Sequence, residues 1–495
     1  MKSLIYFLII SFFIISCEKE SNYSNSISEN KLLHATKGSN AGIYDIDNNY
    51  IILKGVNYNV LGDYWYANPN IPATKVYDKK DFELLARYGF NCVRLLFSWS
   101  KLEPVQGQYN IEYVQEIQQA IEDAAAYGIY VLLDMHQDAY GKYIATPINE
   151  ICEKPNNGWD GAPLWATFTD SASTCRVGGR ETAPAVVHAW QNFWDNTNQI
   201  QDACIKAWQF LVERTAQYNN VVGYDLLNEP SLGYKPLNQE FAKLSKYYGN
   251  LVKAIRQSEQ NSGGLEHIIF FEMTVTWNAQ EIPFIPDFNF TSDQNIIFAP
   301  HLYFEAISNL LTIEQGFELV HTLSKLYNTN MFIGEWGFFG DTAIDVEKIK
   351  RFMVKEDEYF VGSTWWQWAQ APGDPHAISW DGNSYANKSL HLIELDDQGN
   401  FTGNLNTTYL NVLSKARPIA IAGKPIKLVS NSDDGSLYFK ATTNSIGTTT
   451  LWIPERFGMP VISGTNATLN NLKTVDGGYI ASVDVNSTYE INISY

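Results

Sequence analysis

Residues 224–230 read "YDLLNEP", in which Asn228 and Glu229 close the apolar run "VVGYDLL" and stand before Pro230. A short run of nearly continuous apolar residues is the pattern of a parallel strand buried on both faces. The pattern recurs along residues 50–370 as "YIILKGVNY", "GFNCVRLLF", "GIYVLLDMH", "HIIFFEM", "NIIFAPHLY", "NMFIGEWG" and "FVGSTWWQW". Segments such as "YVQEIQQAIEDAAAYG" lie between these runs, with apolar residues at helical spacing and a glycine at the stop. Strands alternating with helices in this way predict an α/β fold, a (β/α)8 TIM barrel over residues 41–416. The alternative is an open doubly wound sheet. That fold requires a glycine-rich phosphate loop after the first strand, and the sequence has none there.

In such a barrel the C-terminal strand ends form the active face. Every run except the fifth ends in polar or aromatic residues: Asn57, Arg94, His136, Asn228 with Glu229, His301 with Tyr303, Glu335, and Trp366 with Trp368. Glu335, in "FIGEWG", closes the seventh run as Glu229 closes the fourth, so both acids are expected at one mouth. Two carboxyl groups flanking a cleft are what glycosidic bond cleavage requires. One is protonated to release the leaving oxygen, and the other is ionised to attack or to activate water. Different surroundings hold their pKa values apart. Arg94 and Tyr303 are the expected donors to Glu335, and the Asn228 amide is expected at a sugar 2-hydroxyl. His136 and His301 would position sugar hydroxyls or tune the acid; the plainer reading of each is a satisfied structural group. Pro230 restricts the residue before it and is expected to hold Glu229 extended.

Composition narrows the class. Hydrophobic residues make up 45% of the 495, which excludes a disordered chain and allows a large core. A net charge of −19 excludes a non-specific nucleic-acid surface. Aromatic residues reach 14%, which suits both a core and a sugar-lined cleft. No Cys/His cluster has metal-ligand spacing, and no metal or cofactor is expected. Residues 1–17 read as a signal peptide whose "FIISC" resembles the lipobox of bacterial lipoproteins, with Cys17 as the lipidated residue. The alternative is a plain secretory signal with a chance cysteine. Residues 18–40 follow as a polar tether, so the chain reads as an exported lipoprotein anchored at the outer membrane or cell surface. Cys152 and Cys175 flank a Gly/Asn/Ser/Thr-rich insertion and form the expected disulfide in an oxidising compartment, while Cys92 and Cys204 read as buried thiols. Beyond residue 416, period-2 segments such as "LYFKATTNS" and "TYEINIS" predict a small antiparallel β-sandwich over 417–495. Its expected role is to pack on the barrel rather than to bind ligand or membrane. A monomer is expected.

Taken together, "LLNEP", "APHLY", "IGEWG" and the Trp-rich eighth run resemble glycoside hydrolase family 5. The resemblance implies Glu229 as acid/base and Glu335 as nucleophile of a retaining double displacement. The segments "GFNCVRLLFSWSKLEPVQGQYN", "VLLDMHQDAYG", "DGAPLWATFTD" and "ARPIAIAGKP" are similar to the endoglycoceramidase subgroup, over residues 45–495. That likeness implies cleavage of the glycan–ceramide linkage of glycosphingolipids, with His136, Asp138, Asn228, Tyr303 and Trp366 as sugar contacts. Asp134 is expected to point away and serve structurally. The segment "NYNVLGDYWYANPN" departs from the subgroup's pattern, and "CEKPNNGWDGAPLW" and "QAPGDPHAISW" are expected to edge the cleft. Alternatives are a β-glucosidase of ceramide or steryl monoglucosides, an endo-β-glucanase, and a surface glycan-binding lipoprotein without activity.

Overall fold

The computed structural model describes residues 30–277, 281, 283–340, 342–377 and 391–495. The expected signal peptide, Cys17 and the first part of the expected tether lie outside the described residues.

The barrel is built from β4 (Lys54–Tyr58), β5 (Cys92–Phe97), β6 (Tyr130–Met135), β7 (Val221–Asp225), β8 (Ile268–Phe271), β9 (Ile296–Phe298), β10 (His301–Leu302), β11 (Phe332–Trp336) and β12 (Gly362–Trp365). All pair in parallel, in the order β10-β11-β12-β4-β5-β6-β7-β8-β9. β9 and β10 are two pieces of the sixth strand, split at Ala299 and Pro300. Proline lacks the N–H that a ladder position needs. The eight strand positions match the eight apolar runs. Among the described residues no helix is long and apolar enough to cross a membrane.

The N-terminal strands β1 (Leu33–Thr36), β2 (Gly42–Asp45) and β3 (Asn49–Ile51) belong to a second sheet. Its later strands are β15 (Arg417–Ala422), β16 (Lys424–Ser430), β17 (Leu437–Thr442), β18 (Gly447–Pro454), β19 (Val461–Val475) and β20 (Gly478–Ser494), and it runs β1-β2-β3-β15-β18-β20-β17-β16, with β19 beside β20. Every pairing in it is antiparallel, and Ala420 of β15 sits opposite Ile51 of β3. This corrects the division at residues 40/41, while β15 opens at the expected 416/417 boundary. Residues 33–36 are strand rather than tether, and residues 33–51 join the C-terminal module rather than the barrel. Such short strands pair across most of the chain length, so no local pattern announces their sheet. Their apolar side chains also close the N-terminal end of the barrel: Leu33, Ala35 and Ile43 share one core with Leu53, Cys92, Leu132 and Phe332.

Where the module meets the barrel, Lys415, just before β15, makes a buried ion pair with Asp357 at 2.5 Å, and beside it Lys54 of β4 pairs with Glu356 at 2.7 Å. Gly89, at φ +77°, lets Trp452 of β18 lie so close that a Cβ at residue 89 would meet its indole at 2.2 Å. Closure of the barrel's N-terminal end leaves the C-terminal strand ends as the working face.

Candidate active site

Arg94 is the hub of that face. Its guanidinium donates from Nη1 to Glu335 at 2.9 Å and Asn57 at 3.0 Å, from Nε to Asp225 at 2.8 Å, and from Nη2 to Asn228 at 3.0 Å. Asp134 and Glu272 stand 3.0 and 3.6 Å from Nη2. A fully buried guanidinium is tolerated because its planar fork can meet several carboxylates at once. Glu335, on β11 opposite His301 of β10, receives a second donor, the Tyr303 hydroxyl at 3.0 Å. Burial and the neighbouring carboxylates push that phenol well above its ordinary range, so it stays an O–H donor.

Glu229 sits one turn of chain beyond β7. Its φ is +38°, not extended, which corrects the reading of Pro230's effect. The left-handed region is costly for a residue with a Cβ and persists where neighbours over-determine it. Gln137 supplies that constraint, donating from Nε2 to the carbonyls of Asn228 at 2.7 Å and Glu229 at 2.9 Å, while the Asn228 amide donates back to the Gln137 carbonyl at 2.9 Å. The Glu229 carboxylate lies 2.8 Å from His301 Nδ1 and 3.3 Å from Arg180 Nη2. His301 Nδ1 is also 3.4 Å from Glu335, and these ring and carboxylate atoms lie within 4.8 Å of one another.

The two acids therefore share one buried site, and their surroundings split them. Burial would raise Glu229, but the His301 imidazole and the Arg180 guanidinium outweigh it and hold the carboxyl below its ordinary value. Burial lifts Glu335 above its ordinary value, against His301 and Arg94 and reinforced by the charge of Glu229. In this geometry the proton held by the pair favours Glu335.

Beside them lies a charged wall. Arg180 also pairs with Asp138 and stacks on the Trp159 ring at 4.6 Å. His376 lies 2.9 Å from Asp138 and 2.8 Å from Asp374. Burial pulls His376 down, yet Asp374 and Asp138 lift it to about 10. His136 is likewise lifted to about 9 by Asp160, Asp134 and Asp138 against the cost of burial. Its ring stacks on Trp366, with centroids 5.4 Å apart. Asp134 does not point away: it meets both Arg94 and His136 Nδ1, the latter at 2.7 Å. Residues two apart share a face, so Asp134 belongs with His136.

A cleft of about 510 Å3 opens between these groups, and it is lined by His136, Asp138, Asn228, Glu229, Tyr303, Glu335 and Trp366 among others. Every sugar contact expected from the sequence lies on its wall; Arg94 and His301 support it from beneath. Trp159 and His376 line it from the two segments expected to edge the cleft, though neither residue was singled out, and Arg180 was missed. Trp159 comes from the insertion whose ends Cys152 and Cys175 tie in a disulfide, Arg180 from the loop just past Cys175, and no periodicity marks either. Cys92 and Cys204 are free and buried. Glu272, at the end of the fifth run, was passed over, yet it reaches Arg94 and stands 3.5 Å from His301 Nε2. The polar ending of "HIIFFEM" was its signal. Among the described residues, three trios have the spacing to hold a cation: His136–Asp138–Asp160, Asp225–Glu272–His301 and Glu229–His301–Glu335. Arg94, Arg180 and His376 already engage carboxylates in these trios.

Two acids on the fourth and seventh strands of a parallel barrel, over an Arg–Asn–Tyr–His support, can be compared with known proteins. Residues 44–372 match the family model described as cellulase (glycosyl hydrolase family 5). An endoglycoceramidase of Cyanea nozakii is 27% identical over 403 residues, 72% of each chain. Endoglycoceramidase I of Rhodococcus hoagii (strain 103S) is 25% identical over 470 residues, 88% of this chain and 85% of that one. The crystal structure of an endogalactoceramidase superposes with a TM-score of 0.85 at 34% identity, covering 93% of this chain and 99% of its own. The chain belongs to glycosyl hydrolase family 5, within its endoglycoceramidase group.

Proposed function

We propose that this glycoside hydrolase is a retaining endo-β-glycosidase that cuts the glycan–ceramide linkage of glycosphingolipids. The observation that carries the retaining mechanism is the carboxylate spacing. Oxygens of Glu229 and Glu335 lie within 4.8 Å. Retaining sites have carboxyl groups about 5–5.5 Å apart, whereas inverting sites need about 6.5–9.5 Å to seat a water. Glu335, oriented by Arg94 and Tyr303, attacks the anomeric carbon and forms a glycosyl-enzyme. Glu229 protonates the departing ceramide oxygen, then as a carboxylate takes a proton from the water that releases the glycan. Asn228 offers its amide to the 2-hydroxyl. His136, Asp138 and Trp366 hold the sugar at the cleavage site, Trp366 through its ring face.

The substrate class rests on the likeness to endoglycoceramidases. The 34% likeness to an endogalactoceramidase favours a second reading, in which the sugar on ceramide is galactose. Incubation with a ganglioside and with a galactosylceramide-based oligosaccharide separates the two. Release of the intact glycan from one of them is the expected result. Cleavage of monoglucosides alone would replace the endo reading with a β-glucosidase.

Glu229→Ala should lower turnover of glycolipid by about 10²–10⁴-fold, the usual worth of a positioned acid. An aryl glycoside whose phenol leaves without protonation should form its glycosyl-enzyme far less impaired, and added azide should restore turnover. Equal impairment on both substrates would remove the acid assignment.

We also infer that Cys17 carries a lipid anchor in the outer membrane or at the cell surface. Cys17→Ser should move the protein from the membrane to the soluble fraction. The C-terminal module we read as a two-layer sandwich packed on the barrel, supported by its own core around Leu428, Phe439, Leu451 and Ile491.

A further inference from the structure

The acid of a glycosidase must carry a proton when substrate is in place, yet here Glu229 is held by a cation. Arg180 Nη2 lies 3.3 Å from Glu229 and also pairs with Asp138, so one guanidinium bridges the acid and a sugar contact. Its plane rests on Trp159, and its Nε is 3.4 Å from Glu181. Arg180 stands in a three-residue 3₁₀ turn just past the disulfide-tied insertion, not on a barrel strand. It can therefore move without disturbing the barrel's ladder.

We propose that Arg180 is a positioning residue that couples sugar binding to protonation of Glu229: a sugar hydroxyl arriving at Asp138 displaces the guanidinium from its bridge, and Glu229 then holds the proton of the acid pair. The inference rests on the proposed roles of Glu229 and Asp138. Among the described residues, the titratable and charged groups facing Glu229 include Arg180 and Glu181 from the loop past Cys175, Asp138 after β6, Glu272 after β8, His301 on β10 and Glu335 on β11. Both His301 and Arg180 favour its ionised form, but His301 is buried in the barrel and also contacts Glu335. Arg180 is borne on a loop. With Arg180 withdrawn, negative charge on Glu229 loses a neighbour while Glu335 keeps Arg94 and Tyr303. The proton shifts from Glu335 to Glu229, and no proton from bulk water is required. The nucleophile becomes ionised in the same step. The bridge adds a second partner to the His376 pair on Asp138, fully buried, until a hydroxyl takes its place.

The test is the pH dependence of glycan release by Arg180→Gln and Arg180→Lys. The upper limb of kcat/KM reports loss of the pair's last proton in the protein without sugar. Arg180→Gln should move that limb up by about one pH unit, since a cation beside a carboxyl is worth about 1–3 units. The upper limb of kcat should stay within a few tenths of wild type, because sugar has already displaced the arginine. Arg180→Lys, keeping the charge, should leave both limbs near wild type. A kcat/KM limb that does not move in Arg180→Gln, or that moves equally in Arg180→Lys, overturns the proposal. If Arg180→Gln does not fold, a crystal structure of the wild type with bound reaction-product glycan decides. Arg180 beyond hydrogen-bond reach of Glu229 supports the proposal, and Arg180 still on Glu229 overturns it. A wild type that releases glycan from no glycolipid would instead refute the proposed function.

Discussion

Glu335→Gln should reduce glycan release by at least about 10⁴-fold, the scale seen when a covalent nucleophile is removed. The amide has the carboxylate's shape but cannot form the ester that carries the sugar. Its oxygen can keep the Arg94 contact, and its nitrogen can turn to the Tyr303 hydroxyl, which then accepts rather than donates. The fold should therefore survive. Glycan affinity, measured by calorimetry, should change little while turnover is lost. Activity within tenfold of wild type would refute the nucleophile assignment. Loss of affinity in parallel with turnover would mean that the substitution had disturbed the cleft.

Arg94→Met should cost about 3–5 kcal/mol of stability as well as activity, because it strips the cation from a cluster of buried carboxylates. Asp134, Asp225 and Glu272 are as buried as Arg94 itself, and Glu335 is nearly so. Burial already holds Asp225, Glu272 and Glu335 above their ordinary range with Arg94 present. Without it they rise further. A carboxyl with a raised folded-state pKa binds more protons folded than unfolded, so its contribution is lost as pH rises through that pKa. The destabilisation should thus be largest at about pH 8 and shrink toward about pH 5. Denaturant titrations of variant and wild type at both pH values measure it. A penalty that is independent of pH, or larger in acid, would show that lost packing rather than lost charge compensation dominates.

The legible part of the fold was what repeats locally. Eight apolar runs, each a strand's length, with helical spacing between them, leave few architectures other than a closed parallel barrel. The acids were legible because the barrel places every strand end on one rim, so position in a run translates directly into position in space. Arg94 and Tyr303 could be paired with Glu335 for the same reason. Glu272 was equally legible and was overlooked. Asp134 was misread although strand periodicity alone puts it on the face of His136.

What the sequence determined by itself was therefore the barrel, the rim and the acid pair, since these follow from periodicities of two and 3.6 residues that each segment carries within itself. Tertiary structure alone decided three things. It placed β1–β3 in the C-terminal sheet, because antiparallel pairing between Ile51 and Ala420 depends on contacts far apart in sequence. It turned Glu229 to φ +38°, against the local effect of Pro230, because Gln137 from the neighbouring strand end holds two carbonyls of that bend. And it laid Arg180 across Glu229 and Asp138, a charge contact from an irregular loop. Ion pairs have range but no period, so nothing in that loop's own sequence could announce where its arginine would reach.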